Sequence, residues 1–564
     1  MTDVHSDLEG AAARHGGVAH VSAETEATRT TELPSGLLGA VPDKPRRRVT
    51  SRRTWRLERR WLVPAAWALA PVALFFCYLR VSQTEPGDSY GAVFTLQAWD
   101  MLHGNLLLHG WWLSDVSFYT TELPEYMLVT LVRGLNPDVV HIAGAITYTL
   151  LLLLAALLAK GRAKGKEAAI RVLIAAGIMV SPQLGNGIFV LLLAPDHLGT
   201  CVPVLLAWLI VDRARPRWYV PVAVGVLLAW ALIADPVVRV TAVLPLVAVC
   251  GIRIYQGIIQ QRQPLRSRWY EAALIAAGLI AVGVASGALA LIRAQGGFSV
   301  NPVAPLIASV TALPHHLFVM LEGLFLLFGA DFFGHRIGFP SALLLLHVVG
   351  LALAAWATWV AVRRFNRVDL VSQLLAAAIL INLAAFLLWS KIGDVTTTRE
   401  MAAVLPFGAV LAARLLSGRL AATRLLPALS VVLCGYLVSL GLVAAHSPQP
   451  PDNQQLTNWL TAHHLHYGIG ASWLGSVVTI SSGERVELRP VTIDHHVLAH
   501  SQWESQASWY DPRRHDANFV VLIGNPPSPS MASVRAAFGP PERTYLVGPY
   551  TVLTWNKNLL TELH

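Results

Sequence analysis

Charged side chains are scarce in this chain. Of its 564 residues only 14% are Asp, Glu, Lys or Arg, while 54% are hydrophobic and the mean hydropathy is +0.51. Soluble globular proteins carry about 25% charged residues. That excludes a soluble enzyme and also a protein resting on a membrane by one surface helix, and leaves a polytopic membrane protein. Cysteine is nearly absent. Cys77, Cys201, Cys250 and Cys434 each sit in an apolar run and form no C-x-x-C, so neither a disulfide framework nor a zinc site is expected. There is no Walker loop and no G-x-G-x-x-G in a βαβ setting, and nucleotide and nucleic-acid binding drop out with them.

What charge there is has a pattern. Much of the net +9 sits in Arg46, Arg47, Arg48, Arg52, Arg53, Arg56, Arg59 and Arg60 and in short connections between apolar runs. The basic balance therefore reports orientation and not a nucleic-acid partner. Residues 1–60, poor in apolar side chains, read as a disordered cytoplasmic tail whose last part, from Lys44 on, can touch anionic headgroups.

About eleven apolar runs follow, near the roughly 20 residues a crossing helix needs, though several are short. They fall at Trp61–Val81, Val139–Ala159, Ala169–Val180, Leu198–Val211, Val220–Ala234, Val238–Ile254, Ala272–Ile292, Ala342–Val362, Leu370–Leu388, Met401–Leu416 and Leu425–Ala445. Gly187–Ala194 reads as a partial or re-entrant piece. The Arg- and Lys-bearing connections at 161–166, 212–217, 253–268, 363–367 and 414–424 alternate with acid- and aromatic-bearing ones. This puts the N-terminus in the cytoplasm and the C-terminus outside, in a multi-pass protein of the plasma membrane.

From His446 on the character changes. A Pro-rich linker precedes a helix at Gln454–His464, then short strand-like runs at Ser476–Ile480, Arg485–Leu488, Phe519–Ile523 and Tyr545–Trp555. The expected fold is thus an all-α membrane domain of about eleven transmembrane helices over 61–445, with an extracytoplasmic α/β or α+β domain over 446–564.

The outer connections hold the chemistry. The first, 85–137, contains Asp88 in Gly87-Asp88-Ser89-Tyr90, then Asp100, Asp115, Glu122 and Glu125 among His and Trp residues. Asp88 lies a few residues past the first span, where it can be held rigidly and partly desolvated, as a general base for a hydroxyl must be. Gly-Asp-Ser is equally a helix N-cap. Glu122 and Glu125 read either as functional or as capping acids, and Asp100 as a surface residue. Lys391 and Arg399 flank a short outer loop with three threonines and can grip a phosphate, or snorkel at the boundary. Asp196-His197 can bind a metal, relay a proton or cap a helix, though two ligands do not close a metal site. Asp235 and Arg239 flank a tight turn and can simply pair. His315-His316 and 329–336 lie in the long loop, and Leu317–Phe328 reads as an amphipathic interfacial piece.

These features resemble those of the GT-C superfamily of membrane glycosyltransferases that use polyprenyl-phosphate sugars, including protein O-mannosyltransferases and lipid A aminoarabinose transferases. The matching residues are Gly87-Asp88-Ser89-Tyr90, Ala98 to Asn105, Thr121-Glu122-Leu123-Pro124, and Thr398-Arg399-Glu400 with Leu405-Pro406. The resemblance implies a hexosyl- or pentosyltransferase. Its donor is a polyprenyl-phosphate-linked sugar held in membrane lipid, and its acceptor an extracytoplasmic glycan, lipid or protein. Asp88 would be the base or a metal ligand, Arg399 and Lys391 would bind the donor phosphate, and the product would be inverted. Glu122, Asp196, His197 and Tyr90 are expected at an acceptor or secondary site. Where the family often has two adjacent acids, Ser89 follows Asp88 here, so a divalent cation (Mg or Mn) is not required by the sequence. The alternative is a transporter or lipid flippase. It ranks second because the charges gather in loops rather than mid-span and no internal repeat is evident.

Overall fold

Long apolar runs in hydrocarbon can satisfy their backbone only within a helix or a closed barrel, and here they form helices. The computed structural model describes residues 54–563 apart from 194–195, 263, 302–305, 333–335, 423–424, 495–496 and 525–528. Most of the expected tail, 1–53, lies outside the described residues; its end, 54–60, already belongs to the first helix. In chain order the helices are α1 (Thr54–Ser82), α2 (Ser89–Leu102), α3 (Glu122–Arg133), α4 (Asp138–Lys160), α5 (Gly165–Met179), α6 (Asn186–Ile188), α7 (Cys201–Arg213) and α8 (Tyr219–Ala234). Then come α9 (Leu244–Tyr255), α10 (Trp269–Ala294), α11 (Leu313–Leu327), α12 (Phe339–Arg363), α13 (Leu370–Leu388), α14 (Val404–Ala422) and α15 (Leu426–Ala444).

Every expected apolar run is helical, but eleven full spans are not reached. Among the described residues six helical stretches are long and apolar enough to cross a membrane, or seven if Val395–Met401 and Val404–Gly418, bent by 54°, form one. The difference lies in helices such as α5, α7 and α8, of 15, 13 and 16 residues. The chain is a multi-pass membrane protein. Its outward faces suit lipid: Leu279, Ile280, Val284 and Leu291 of α10 are all more than half exposed.

Polar groups inside the bundle are placed where helices end. The Tyr78 hydroxyl donates to Val180 O (3.0 Å) and the Tyr148 hydroxyl to Met179 O (2.7 Å), capping carbonyls that the end of α5 leaves unpaired. At one end of the bundle the Arg-bearing connections meet. Arg414 donates to Leu158 O, Asp212 and Asp369, Arg162 to Asp212 O, and Arg253 to Gln373. Connections assigned to one side by their charge are thus on one side. The 19 residues of α13 separate Asp369 from the opposite end by about 28 Å at 1.5 Å per residue.

Two sheets sit at that opposite end. β1 (Trp111–Leu113) pairs in parallel with β2 (Ser299–Val300) and antiparallel with β6 (Ser505–Gln506). The larger sheet has the order β5-β4-β3-β7-β9-β8, formed by β3 (Tyr467–Ala471), β4 (Glu487–Asp494), β5 (Val497–His500), β7 (Phe519–Ile523), β8 (Arg543–Val547) and β9 (Tyr550–Thr554). β3 runs parallel to both β4 and β7, and the other pairs are antiparallel. Three helices join it: α16 (Gln454–Ala462), α17 (Ser472–Ser482) and α18 (Met531–Phe538).

Ser476–Ile480, read from its β-branched residues as a strand, is instead part of α17. It is the crossover between two parallel strands, a connection usually made by a helix. Leu474 and Val478, four apart, are buried on one face, and Gly483 ends the helix at φ 59°. Tertiary demand overrides local propensity here.

Candidate functional site

The site begins where α1 stops. Asp88 occupies the N-cap of α2 in extended backbone, and its Oδ2 accepts from the backbone N–H of Tyr90 (2.9 Å). The cap reading and the functional reading therefore fall on the same side chain. α2 ends at a buttress: Asp100 Oδ2 accepts from Asn105 Nδ2 (2.6 Å) and from Trp111 Nε1 (2.7 Å). Asp100 is structural, tying α2 to β1, and not simply a surface acid.

Arg399 comes to this cap from a short 3-10 helix at Val395–Met401, capped by Asp394. Its guanidinium lies over the Tyr90 ring, 4.6 Å from the centroid, and one Nη donates to the Tyr90 hydroxyl (3.3 Å). The other Nη donates to Asp196 Oδ2 (3.0 Å), across 203 residues of chain. Asp196 is buried, and its Oδ1 has no partner among the described residues.

His197, next in sequence, turns the other way because its φ is +65°, a conformation L-residues seldom adopt. Its Nδ1 bonds buried Asp235 (2.8 Å) and its Nε2 lies 3.3 Å from Glu400. Asp235 also accepts from the Thr200 hydroxyl (3.1 Å) and Val237 N–H (2.8 Å). The expected pairing of Asp235 with Arg239 does not form, because the histidine takes the carboxylate. Glu122 opens α3 fully buried. It accepts from the Thr121 hydroxyl, and its Oε1 is unpartnered among the described residues. It fits only because residue 199 is glycine: a Cβ there would stand 2.3 Å from Glu122 Oε1.

The electrostatics follow first from burial and then from crowding of like charge. Asp88 is half-buried; desolvation, opposed by the Tyr90 N–H and reinforced by Asp196, pushes its pKa up to about 6. For His197, burial works against the charged form, but Asp235 and Glu400 outweigh it and hold the imidazole protonated well above its usual range. Asp115 is raised by burial and by Glu400. Glu504 is raised by burial and by Asp196 and Asp88.

Of the residues singled out from sequence, Asp88, Tyr90, Asp196, His197 and Arg399 are brought together, with Glu122 packed behind Gly199. Lys391 is exposed and makes no hydrogen bond or ion pair among the described residues. Glu125 accepts from the Thr147 hydroxyl (2.7 Å), joining α3 to α4. Reading the sequence singled out Asp235 and Glu400 only within longer strings and missed Glu504 altogether. The Asp-Pro turn was the available signal for Asp235. Glu504 has none, since it lies in a loop far along the chain.

A cavity of about 310 Å³ opens beside this cluster. Asp115, His197, Glu400 and Arg239 give it a polar wall, and Val240, Phe386 and Trp389 an apolar one. Among the described residues no three His, Cys, Asp or Glu side chains gather at metal-ligand spacing.

No family sequence model and no curated protein sequence matches the chain. Solved structures do. ArnT from Cupriavidus metallidurans, in a crystal structure bound to undecaprenyl phosphate, superposes with a TM-score of 0.52 at 12% identity, over 86% of this chain and 98% of that one. The chain shares the fold of ArnT. The archaeal oligosaccharyltransferase AglB from Archaeoglobus fulgidus, in complex with an inhibitory peptide and a dolichol-phosphate, gives 0.43 at 13% identity, over 81% of this chain and 69% of that one. The share of this chain matched to ArnT exceeds the α1–α15 region, so the likeness extends past Ala444 into the C-terminal region.

Proposed function

We propose that this protein is a membrane glycosyltransferase that moves a sugar from a polyprenyl-phosphate donor to an extracytoplasmic acceptor, with inversion. The observation that carries the reading is the amphipathic cavity walled by His197 and Glu400, the sequence neighbours of Asp196 and Arg399. One wall has the polarity of a phosphosugar and the other that of an isoprenoid chain, at the end of a transmembrane bundle. ArnT, whose fold this chain shares, holds undecaprenyl phosphate.

In this reading the donor phosphate lies against Arg399, whose guanidinium offers five N–H donors and spends two on Asp196 and Tyr90. Arg239, left free of Asp235, is the cation that lines the cavity, next to which Glu400 carries the chain from Arg399. Lys391, expected in that role, stands exposed and does not line it. Asp88 accepts the proton of an acceptor hydroxyl. The oxygen attacks the anomeric carbon, the C–O bond to phosphate breaks, and the lipid phosphate leaves with the electron pair. The cations stabilise charge that grows on the phosphate in the transition state. A pKa near 6 suits a base at neutral pH, being ionised yet more basic than an ordinary aspartate. The outer loops then face away from the cytoplasm, and the region from 446 on covers the site.

The test uses membranes with wild type, Asp88→Asn and Arg399→Lys at equal levels, supplied with polyprenyl-phosphate-linked hexose and pentose. Transfer by wild type that falls about 10²–10⁴-fold in Asp88→Asn supports the base. Near-normal transfer in that variant refutes its role, and absence of transfer with every donor refutes the transferase.

A further inference from the structure

Three distant stretches build the small sheet beside the site: β1 from the first connection, β2 from the long loop, and β6 from the C-terminal region. Asn301 locks them, donating through Nδ2 to Leu113 O (3.0 Å) and to Gln502 O (2.7 Å). In register, Trp112 stands opposite Ser505, the residue after Glu504. The approach is closed by a tight loop in which Trp503 N–H donates to the Ser501 hydroxyl (3.3 Å) and the Ser505 hydroxyl donates to Ser501 O.

Glu504 itself sits at φ +50°, where an L-residue is strained. Strain of this kind persists where surrounding structure imposes it, and clusters at functional sites. Its carboxylate faces Asp88, Asp115, Asp196 and Arg399, and has no hydrogen bond or ion pair among the described residues. Trp503 precedes it in the chain and is 38% exposed, and half-buried Trp112, opposite Ser505, stacks on His500 at 5.4 Å.

We propose that Glu504, with Trp503 and Trp112, forms the acceptor subsite, and that the acceptor is a carbohydrate hydroxyl. The proposal rests on the transferase reading. Carboxyl groups crowded in this way share protons, so that some donate and others only accept, and a ligand among them must bring groups that do both, as hydroxyls do. A neutral polyol supplies several hydroxyls of this kind. A sugar ring also carries apolar C–H faces, which indole faces cover well. The C-terminal region thereby contributes directly to recognition.

The experiment uses the full chain in detergent, with polyprenyl-phosphate-linked sugar as donor and octyl glycosides or a Ser/Thr-containing peptide as acceptors. Transfer and donor hydrolysis by water are both followed. Glu504→Ala is expected to raise KM for the octyl glycoside at least tenfold and to leave hydrolysis within twofold. Glu504→Gly relieves the strained backbone and should unfold no earlier than wild type, yet lose the same affinity. An unchanged KM, a parallel fall in hydrolysis, or transfer to the peptide alone overturns the proposal. Binding is read separately, from quenching of tryptophan fluorescence by octyl glycoside. If wild type turns over no donor, the transferase reading fails, and this arm still decides. Saturable quenching lost in Glu504→Gly upholds a sugar site, and absence of quenching in wild type removes it.

Discussion

The pH dependence of transfer follows directly from the surroundings of Asp88. Its carboxyl is desolvated at the mouth of the bundle and faces Asp196, and its pKa rises to about 6 from an ordinary value near 3.8. The base must be ionised, so kcat/KM should hold above pH 7 and fall about tenfold per pH unit once well below 6. At pH 5 roughly a tenth of the molecules carry the ionised base, by the factor of ten that each unit represents. The donor does not obscure this limb, because a sugar-linked phosphodiester has lost the ionisation near 6 that a monoester shows. Nor does His197, held protonated well above its usual range by Asp235 and Glu400. The assay is initial-rate transfer at low donor between pH 4.5 and 8, with the protein's integrity checked at each pH. Replacing Asp196 by Asn removes a neighbouring negative charge and should move the limb to lower pH. A rate that stays flat down to pH 5 would refute the assignment of Asp88 as base, whatever the variant data show.

Three other outcomes are expected. Arg239→Gln should raise KM for the lipid donor about tenfold with kcat little changed, and Arg239→Lys should recover part of it; equal donor KM in steady-state kinetics would remove Arg239 from the cavity's function. Gly199→Ala puts a methyl 2.3 Å from Glu122 Oε1 in a closed space and should cost about 1–3 kcal/mol, read as a lower Tm. His197→Gln leaves Asp235 buried without its charged partner and should cost on the order of 3–5 kcal/mol. Because the folded-state pKa of His197 is raised, that contribution is complete below about 6.5 and fades as pH climbs through the raised value, so the Tm gap to wild type should narrow at alkaline pH.

The parts legible in sequence were those with local patterns. Apolar runs gave α4, α10, α12 and α13 almost to the residue, because a helix in lipid needs a continuous apolar stretch. Asp88 stood out because it directly follows a span. Arg399 did so because a cation is unexpected on the side poor in them. What could not be read were pairings made across the fold. Arg399 reaches Asp196 over 203 residues, and nothing local to either announces the other. Asp235 seemed matched to Arg239 four residues on, yet the turn aims its carboxylate at His197 instead. α7 and α8 were placed almost as closely, but at 13 and 16 residues they fall short of the roughly 20 that a crossing needs. α17 misled because its β-branched core could pack equally well in a strand, and only the parallel pairing of β3 with β4 decides.

The Arg399–Asp196 pair also bears on how a phosphate could be held. A guanidinium already bonded to a carboxylate looks blocked, but Asp196 is buried and its Oδ1 unpartnered, so the pair is poorly satisfied on the acid side. Stacking on Tyr90 fixes the guanidinium plane, and two of its five N–H groups are used. The remaining donors then meet an incoming phosphate with little rotamer entropy left to lose. Asp196 is better understood as the residue that aims Arg399 than as its competitor. Freeing the arginine with Asp196→Ala should for that reason weaken donor binding, although it removes a negative charge from the site. Tighter binding in that variant would mean that the carboxylate does compete with phosphate, and that the bonded arrangement is a closed state the donor has to open.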